Sequence, residues 1–163
     1  GDPWLQEVTV PTDLDWSLTG TDTTLPVKDW ASRGVTAREG ELGRGELPAM
    51  LLLPMGRKGP AFLAYPNFHV FLEWNQSLTY VITAAYFATR LEGASIYNAG
   101  SPDPGLDGDA MKRLQRKLAA KGYDIGEADG ILGAKTRTAV QAEQAAQGLP
   151  ADGWPTAELL KRL

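Results

Sequence analysis

Ala49-Met50-Leu51-Leu52-Leu53-Pro54 and Ala61-Phe62-Leu63-Ala64-Tyr65-Pro66 are two short apolar runs, each stopped by a proline, with Met55-Gly-Arg-Lys-Gly-Pro60 between them. Such a pair reads as a β-hairpin with a longer loop. Upstream, Glu7-Val8-Thr9-Val10 alternates polar and apolar and stops at Pro11, as a half-buried strand does. A turn-rich stretch from Asp13 to Thr24 follows. Pro26 then opens a short helical segment, Val27 to Arg33, that Gly34 closes. Downstream of the hairpin, Asn67 is placed to cap a short segment through Phe68, Val70, Phe71 and Trp74. Ser77 is placed to cap a longer helix with Leu78, Val81, Ile82, Ala85, Tyr86 and Ala88 at three- and four-residue spacing, ending near Glu92-Gly93. Residues 1–94 are thus expected to form an α+β unit, a small β-sheet followed by helices. Three short strands and about two helices bury little surface, so a further body upstream is expected to pack on them.

The stretch Ala94 to Gly108 is dense in Gly, Pro, Ser, Asn and Asp, and residues 95–108 read as a linker. Charge changes across it. Residues 1–108 carry seven Lys/Arg against thirteen Asp/Glu, and residues 109–163 carry nine against seven. Beyond the linker the pattern is that of a separate all-α unit of three helices. Asp107 or Asp109 caps the first, with Met111, Leu114, Leu118 and Ala119 on one face and Gly122 at its end. The second runs from about Lys135 to Gln147, and Pro155 suits the first turn of a third that carries Leu159, Leu160 and Leu163. The order Gly122, Asp129-Gly130, Thr136 is echoed in shorter form by Gly148, Asp152-Gly153, Thr156, a weak internal repeat.

Composition removes several classes of chemistry. The 163 residues are 22% charged and 43% hydrophobic, which suits one medium domain or two small ones and excludes a wholly disordered or fibrous chain. No apolar run approaches the ~20 residues of a membrane span. No secretory signal is visible, and because Gly1 is not an initiator Met the chain reads as a processed or truncated product. Without Cys there is no disulfide, thiolate metal site or Cys nucleophile, and His69 alone cannot build a multi-His zinc site. No metal or cofactor is therefore expected. Neither half has the basic stripe that makes nucleic acid a default partner.

The residues after the linker carry a resemblance. Leu114-Gln115, Gly122-Tyr123, Asp129-Gly130-Ile-Leu-Gly133, Thr136-Arg137, Ala139-Val140, Gln144, Gly148-Leu149-Pro150, Asp152-Gly153 and Leu160 together resemble the helical peptidoglycan-binding domain of bacterial wall enzymes over residues 109–163. Glu143 stands where that family usually has a core aromatic. Val8-Thr-Val-Pro11, Asp15-Trp-Ser-Leu18, Leu25-Pro26, Trp30, Gly34-Val35, Leu51-Leu-Leu-Pro54, Gly59-Pro-Ala-Phe62, Tyr65-Pro-Asn-Phe68 and Trp74-Asn75-Gln-Ser77-Leu-Thr-Tyr80 resemble the C-terminal part of the B-type lytic murein transglycosylases, over residues 4–93. The resemblance implies a lysozyme-like catalytic fold continued by a wall-binding unit, in the periplasm of a Gram-negative bacterium, with outer-membrane association through an N-terminus not on this chain. It also implies cleavage of the MurNAc-GlcNAc bond by one Glu, with the muramic C6 hydroxyl as nucleophile and a 1,6-anhydro product.

Glycosidic cleavage needs a carboxylic acid of raised pKa to protonate the leaving oxygen. In the family that Glu is followed by Ser on a helix well upstream of the region matched by Trp74-Asn75, and this sequence has no Glu-Ser pair. The acid is expected upstream of this chain, so no catalytic residue is assigned. The resemblance carries over Asn75, and Trp74 at a place more often Tyr, as glycan-contacting residues, supported by Gln76, Ser77 and Tyr80. Tyr123, Arg137 and Gln144 are the expected contacts to the stem peptide, whose carboxylates give an Arg a reason to be there. The expected partners are peptidoglycan, both glycan and stem peptide, and the upstream part of the same enzyme.

Other residues read as structural. Glu73 is expected in solvent, His69 partly buried and satisfied, and Asp13 and Asp15 in turns and caps rather than as a carboxylate pair. Gly40-Glu-Leu-Gly43-Arg-Gly45 reads as a flexible turn, since no strand feeds it. Asp124, Glu127 and Asp129 alternate with Gly126 and Ala128, where a calcium loop needs oxygen ligands. Two rival functions are a non-catalytic protein that only adheres to murein and an amidase or carboxypeptidase with the same module. The latter generally needs the zinc that one His cannot hold.

Overall fold

The computed structural model describes residues 3–74 and 77–163, without the Trp74 side chain. Its first part is a five-stranded antiparallel sheet in the order β2-β4-β5-β1-β3, with β1 Leu5–Thr9, β2 Leu25–Pro26, β3 Thr36–Ala37, β4 Pro48–Leu52 and β5 Ala61–Ala64. The β4–β5 hairpin pairs Leu51 with Leu63 and Leu52 with Phe62. Its unbroken apolar runs reflect burial on both faces. Ala49, Leu51, Leu53, Ala61, Leu63 and Tyr65 enter one core, while Met50, Leu52, Phe62 and Ala64 enter the other. Alternate side chains of a strand point to opposite faces, so one five-residue run serves two cores.

Helix α1 (Val27–Ser32) covers the first face. It buries Trp30 completely, and the indole Nε1 donates to the carbonyl of Ala49 at 2.9 Å. The second face lies beneath the 3-10 turn Pro66–Phe68, helix α2 (His69–Trp74) and helix α3 (Leu78–Leu91), whose Leu78, Val81, Ile82 and Ala85 are buried. Ser77 caps α3, its side chain accepting from Tyr80 N–H. Tyr65 is the N-cap residue of the 3-10 turn and Pro66 starts it, so Asn67 lies within that turn. Phe68 fills the core, which turns the next two residues outward. His69, expected to be partly buried, is therefore exposed, as is Val70.

Helices α4 (Gly108–Ala120), α5 (Ala134–Ala146) and α6 (Ala157–Arg162) enclose a third core around Leu114, Leu118, Val140 and Leu159. Asp107 caps α4 and Thr156 caps α6, so Pro155 precedes the third helix instead of lying in its first turn. Gln115, not Ala119, completes the inward face of α4. The internal repeat has a physical basis in two buried amides. Gln115 Oε1 accepts the N–H of Gly130, and its Nε2 faces Asp129 Oδ1, the Ile131 carbonyl and Thr136 Oγ1. Gln144 repeats this on the second turn: Oε1 accepts Gly153 N–H, and Nε2 faces Asp152 Oδ1 and the Trp154 carbonyl. In each turn the Asp also accepts the N–H two residues on. Gly130 has φ +82°, and a Cβ there would stand 2.8 Å from the Gly108 carbonyl oxygen, so only glycine fits.

Glu143, where the resembled family has an aromatic, is buried at 3% exposure. Its carboxylate accepts from Lys121 Nζ, Gln147 Nε2 and Tyr123 Oη. Lys121 and these hydrogen bonds outweigh burial and hold its pKa below the usual carboxylate range. A charged, fully partnered group thus replaces a ring.

The segment 95–107 has neither helix nor strand but is fastened along its length. Arg38 Nη1 donates to the Ile96 carbonyl, Asn98 N–H to Glu7 Oε1, and Ser101 N–H to the Lys58 carbonyl. Lys58 pairs with Asp103 at 2.8 Å, and Trp154 Nε1 donates to the Asp103 carbonyl at 2.8 Å. It is a strap across the sheet unit, not a free tether.

Two measurements check these packing arguments. Gln115→Ala and Gln144→Ala strand buried turn groups at about 1–3 kcal/mol each. Chemical denaturation should show a loss of that size, whereas Arg116→Ala on the exposed face of α4 should stay within about 0.5 kcal/mol. Glu143 has its folded pKa depressed, so its contribution is complete above the ordinary carboxylate value of 4.5 and is lost as pH falls through the lower folded value. Glu143→Gln should lower the melting temperature at pH 7, and the gap to the unmodified chain should close below about pH 4.5. A gap that is constant with pH would contradict this account of the carboxylate.

Candidate functional site

The helical unit docks on the sheet unit through polar side chains of α5 that reach main-chain carbonyls. Gln141 Nε2 lies 2.9–3.0 Å from the carbonyl oxygens of Trp16, Thr19 and Ala151. Thr138 donates to Asp22 Oδ2 at 2.9 Å, and Arg137 Nη2 donates to the Pro54 carbonyl at 2.9 Å. From the other side, Arg57 N–H donates to Asp152 Oδ2 at 2.9 Å. Gly56 sits at a close approach of the two units. It has φ +78°, and a Cβ there would be 2.7 Å from Trp154 Cβ and 2.9 Å from Asp152 Oδ2.

Between the units lies a cavity of about 240 Å³. Leu53, Leu72 and Leu78 form its apolar side; Arg137, Thr138 and Gln141 stand on the wall from α5. Leu72 and Leu78 lie just before and just after the 74–77 stretch. The cavity thus brings the surroundings of the expected glycan-contacting residues against Arg137, a residue 59 positions after Leu78.

Arg137 is the unusual group here. Burial pushes its guanidinium pKa down to about 10, with nearby Asp152 acting in the opposite direction. Its Nε is buried and has no hydrogen-bond partner among the described residues. A cation with an unused donor beside an open, partly apolar cavity suits an anionic or carbonyl-bearing ligand.

The other expected site residues are distributed differently. Asn75 and Gln76 lie outside the described residues, as does the Trp74 side chain. Ser77 caps α3 and Tyr80 is exposed on its first turn. Tyr123 is half-buried with its hydroxyl donated to Glu143, which raises its pKa, and it does not line the cavity. Gln144 is buried, with both ends of its amide engaged in the Asp152-Gly153-Trp154 turn. Thr138 and Gln141 were not singled out by sequence reading, and Asp152 only as part of the repeated turn. Ala134, Arg137, Thr138 and Gln141 recur at helical spacing on one side of α5, and that polar stripe opposite the core is the signal that marks them.

Glu73 and Asp13 are exposed, and Asp15 caps the 3-10 turn Trp16–Leu18 by accepting from Ser17 N–H. The 40–45 loop is tied at Gly43, whose N–H donates to Tyr65 Oη at 3.2 Å. Asp124 pairs with Lys135, and Asp129 accepts from Ile131 N–H and Gln115; both carboxyls are held below their usual pKa. Among the described residues no three His, Asp or Glu come together as a metal site, and no helix is long and apolar enough to cross a membrane.

Residues 1–89 match the transglycosylase SLT domain, and residues 107–163 match the peptidoglycan binding domain. No curated protein matches the chain. Two crystal structures of SltB3 from Pseudomonas aeruginosa, one in complex with NAG-anhNAM-pentapeptide and one with NAG-NAM-pentapeptide, are similar to it. Both have 40% sequence identity and a TM-score of 0.82 over 99% of this chain. The chain spans 44% of the first SltB3 chain and 45% of the second, somewhat less than half of either. The sheet unit thus has a lysozyme-like fold, the helical unit has the fold of the peptidoglycan-binding domain, and the chain belongs to the transglycosylase SLT domain family with a peptidoglycan-binding domain attached.

Proposed function

We propose that the protein is a peptidoglycan lytic transglycosylase of the Gram-negative periplasm, associated with the outer membrane through residues outside this chain. In this reading it cleaves the MurNAc-GlcNAc bond and releases 1,6-anhydro-muropeptides. The chain supplies one wall of the glycan cleft through Trp74, Asn75, Gln76, Ser77 and Tyr80, and the helical unit holds the enzyme on its insoluble substrate. The acid Glu comes from the upstream part of the same enzyme. What supports the reading is the cavity in which residues flanking the 74–77 stretch face Arg137 across the seam between the units. NAG-anhNAM-pentapeptide, the ligand in one SltB3 complex, has the anhydro sugar that such a reaction yields.

Arg137 is the residue that answers to the stem peptide. Its guanidinium offers directed N–H donors to a carboxylate, and the dry setting strengthens each bond. Tyr123 supports the site from behind by holding Glu143. Attachment to the wall raises the effective concentration of cleavable bonds around the cleft.

Purified sacculi incubated with this chain alone should retain it without releasing fragments; the chain extended upstream should release 1,6-anhydro-muropeptides, read by mass spectrometry. Anhydro products from the short chain would place the acid among residues 1–94 and bring Glu73 back into question. Retention with no cutting by the extended chain would favour a non-catalytic wall-binding protein. Arg137→Lys should weaken retention about tenfold, the worth of one charge-assisted hydrogen bond of about 1.5 kcal/mol. The difference should vanish on sacculi stripped of stem peptides.

A further inference from the structure

We propose that a second cavity, on the far side of Pro54, is a saccharide subsite that takes the apolar face of one pyranose ring of the glycan. It rests on the reading above that the glycan strand is the substrate. This cavity has a volume of about 340 Å³, within the roughly 300–1,000 Å³ range of small-ligand sites. Its walls come from four places in the chain: Phe62 of β5, Tyr86 of α3, Tyr97 of the strap, and Trp154 of the helical unit.

The chemistry of the walls selects the occupant. Phe62, Tyr86 and Tyr97 pack tilted or edge to face, with the Tyr86 and Tyr97 rings at 86° and their centroids 5.1 Å apart. Trp154 is fixed by its Nε1 bond to the Asp103 carbonyl, and Tyr86 Oη is engaged with Ser95 and Tyr97 of the strap. Their polar tips are therefore held by the protein, and hydrocarbon surface is what they present to the cavity. Thr79 and Thr83, both exposed, stand at its rim on α3. An apolar wall with hydroxyls at the edge matches a sugar, which has C–H groups on one face and hydroxyls around its circumference; those C–H groups are attracted to the negative face of an aromatic ring.

The cavity also lies in register with the first one. Leu53, Leu78 and Gly153 line the first, and their immediate successors Pro54, Thr79 and Trp154 line the second. A glycan along the seam between the units that places one sugar beside Leu78 carries another past Thr79 and Thr83 toward Trp154. A fully apolar ligand has no use for the hydroxyl rim, which separates a saccharide from an acyl chain as the occupant.

The test is a titration of the isotope-labelled chain with the β-1,4-linked tetramer of GlcNAc, followed by NMR, with octanoate as an apolar control. The tetramer is expected to shift the Trp154 indole and the Tyr97 ring signals. Thr79→Trp and Thr83→Trp, at exposed helix positions, fill the cavity and should weaken this binding at least fivefold at unchanged melting temperature. Shifts at Leu72, Leu78 and Arg137 alone would overturn the subsite and leave the cleft reading in place. Shifts at Trp154 with octanoate but not with the tetramer would overturn it in favour of an apolar ligand. No shift anywhere with the tetramer would overturn both readings.

Discussion

The β4–β5 pair is buried on both faces, and the helices of the first unit are placed by the face they cover. Leu51 and Leu63 require a lid on one side, which α1 provides through Trp30. Leu52 and Phe62 require one on the other, which α2 and α3 provide. α3 is held at that second face by Leu78, Val81 and Ile82. Both cavities draw on this framework: the first takes Leu53 and Leu78, and the second takes Pro54, Pro60 and Phe62 together with Thr79, Thr83 and Tyr86 of α3. A register slip of one residue in the hairpin would exchange the two cores and move α3 away from the helical unit.

The helical unit depends on a different kind of interaction. Its turns are held by buried amides, with Gln115 and Gln144 performing the same task on Asp129-Gly130-Ile131 and Asp152-Gly153-Trp154. A glutamine can do this because its side chain carries a donor and an acceptor in one plane, matching a peptide group that has lost its helical neighbours. The second clamp also fixes Trp154, so one buried amide in the helical unit orients a ring that lines a cavity shared with the sheet unit. Glu143 shows the same preference for satisfied polarity over bulk in this small core.

Elements with a local signature were legible from sequence. Ser77 and Asp107 cap their helices, Gly34 and Gly122 end theirs with positive φ, and the apolar runs around 49–54 and 61–66 form the hairpin. The departures have equally local causes: Pro66 starts a 3-10 turn that takes in Asn67, and Thr156 displaced Pro155 from the first turn of α6. The docking of the two units was not legible. It is built from side chains that bind main-chain carbonyls, such as Gln141 to Trp16 and Thr19 and Arg137 to Pro54, and carbonyl acceptors exist at every residue. A pattern of residue types cannot point to them. For the same reason a Gly/Pro-rich strap looks like a loose linker until Glu7, Arg38 and Lys58 are seen to hold it.

Gly56 marks the point where the two units meet without room for a methyl group. So close a contact does more than add packing. When two modules are joined by a loose tether, a ligand that touches both must first halt their relative tumbling, and that orientational entropy is subtracted from its affinity. Here the loss is incurred once, when the chain folds. A ligand lying along the seam meets a surface already in its final shape, and its residence is set by the contacts it makes.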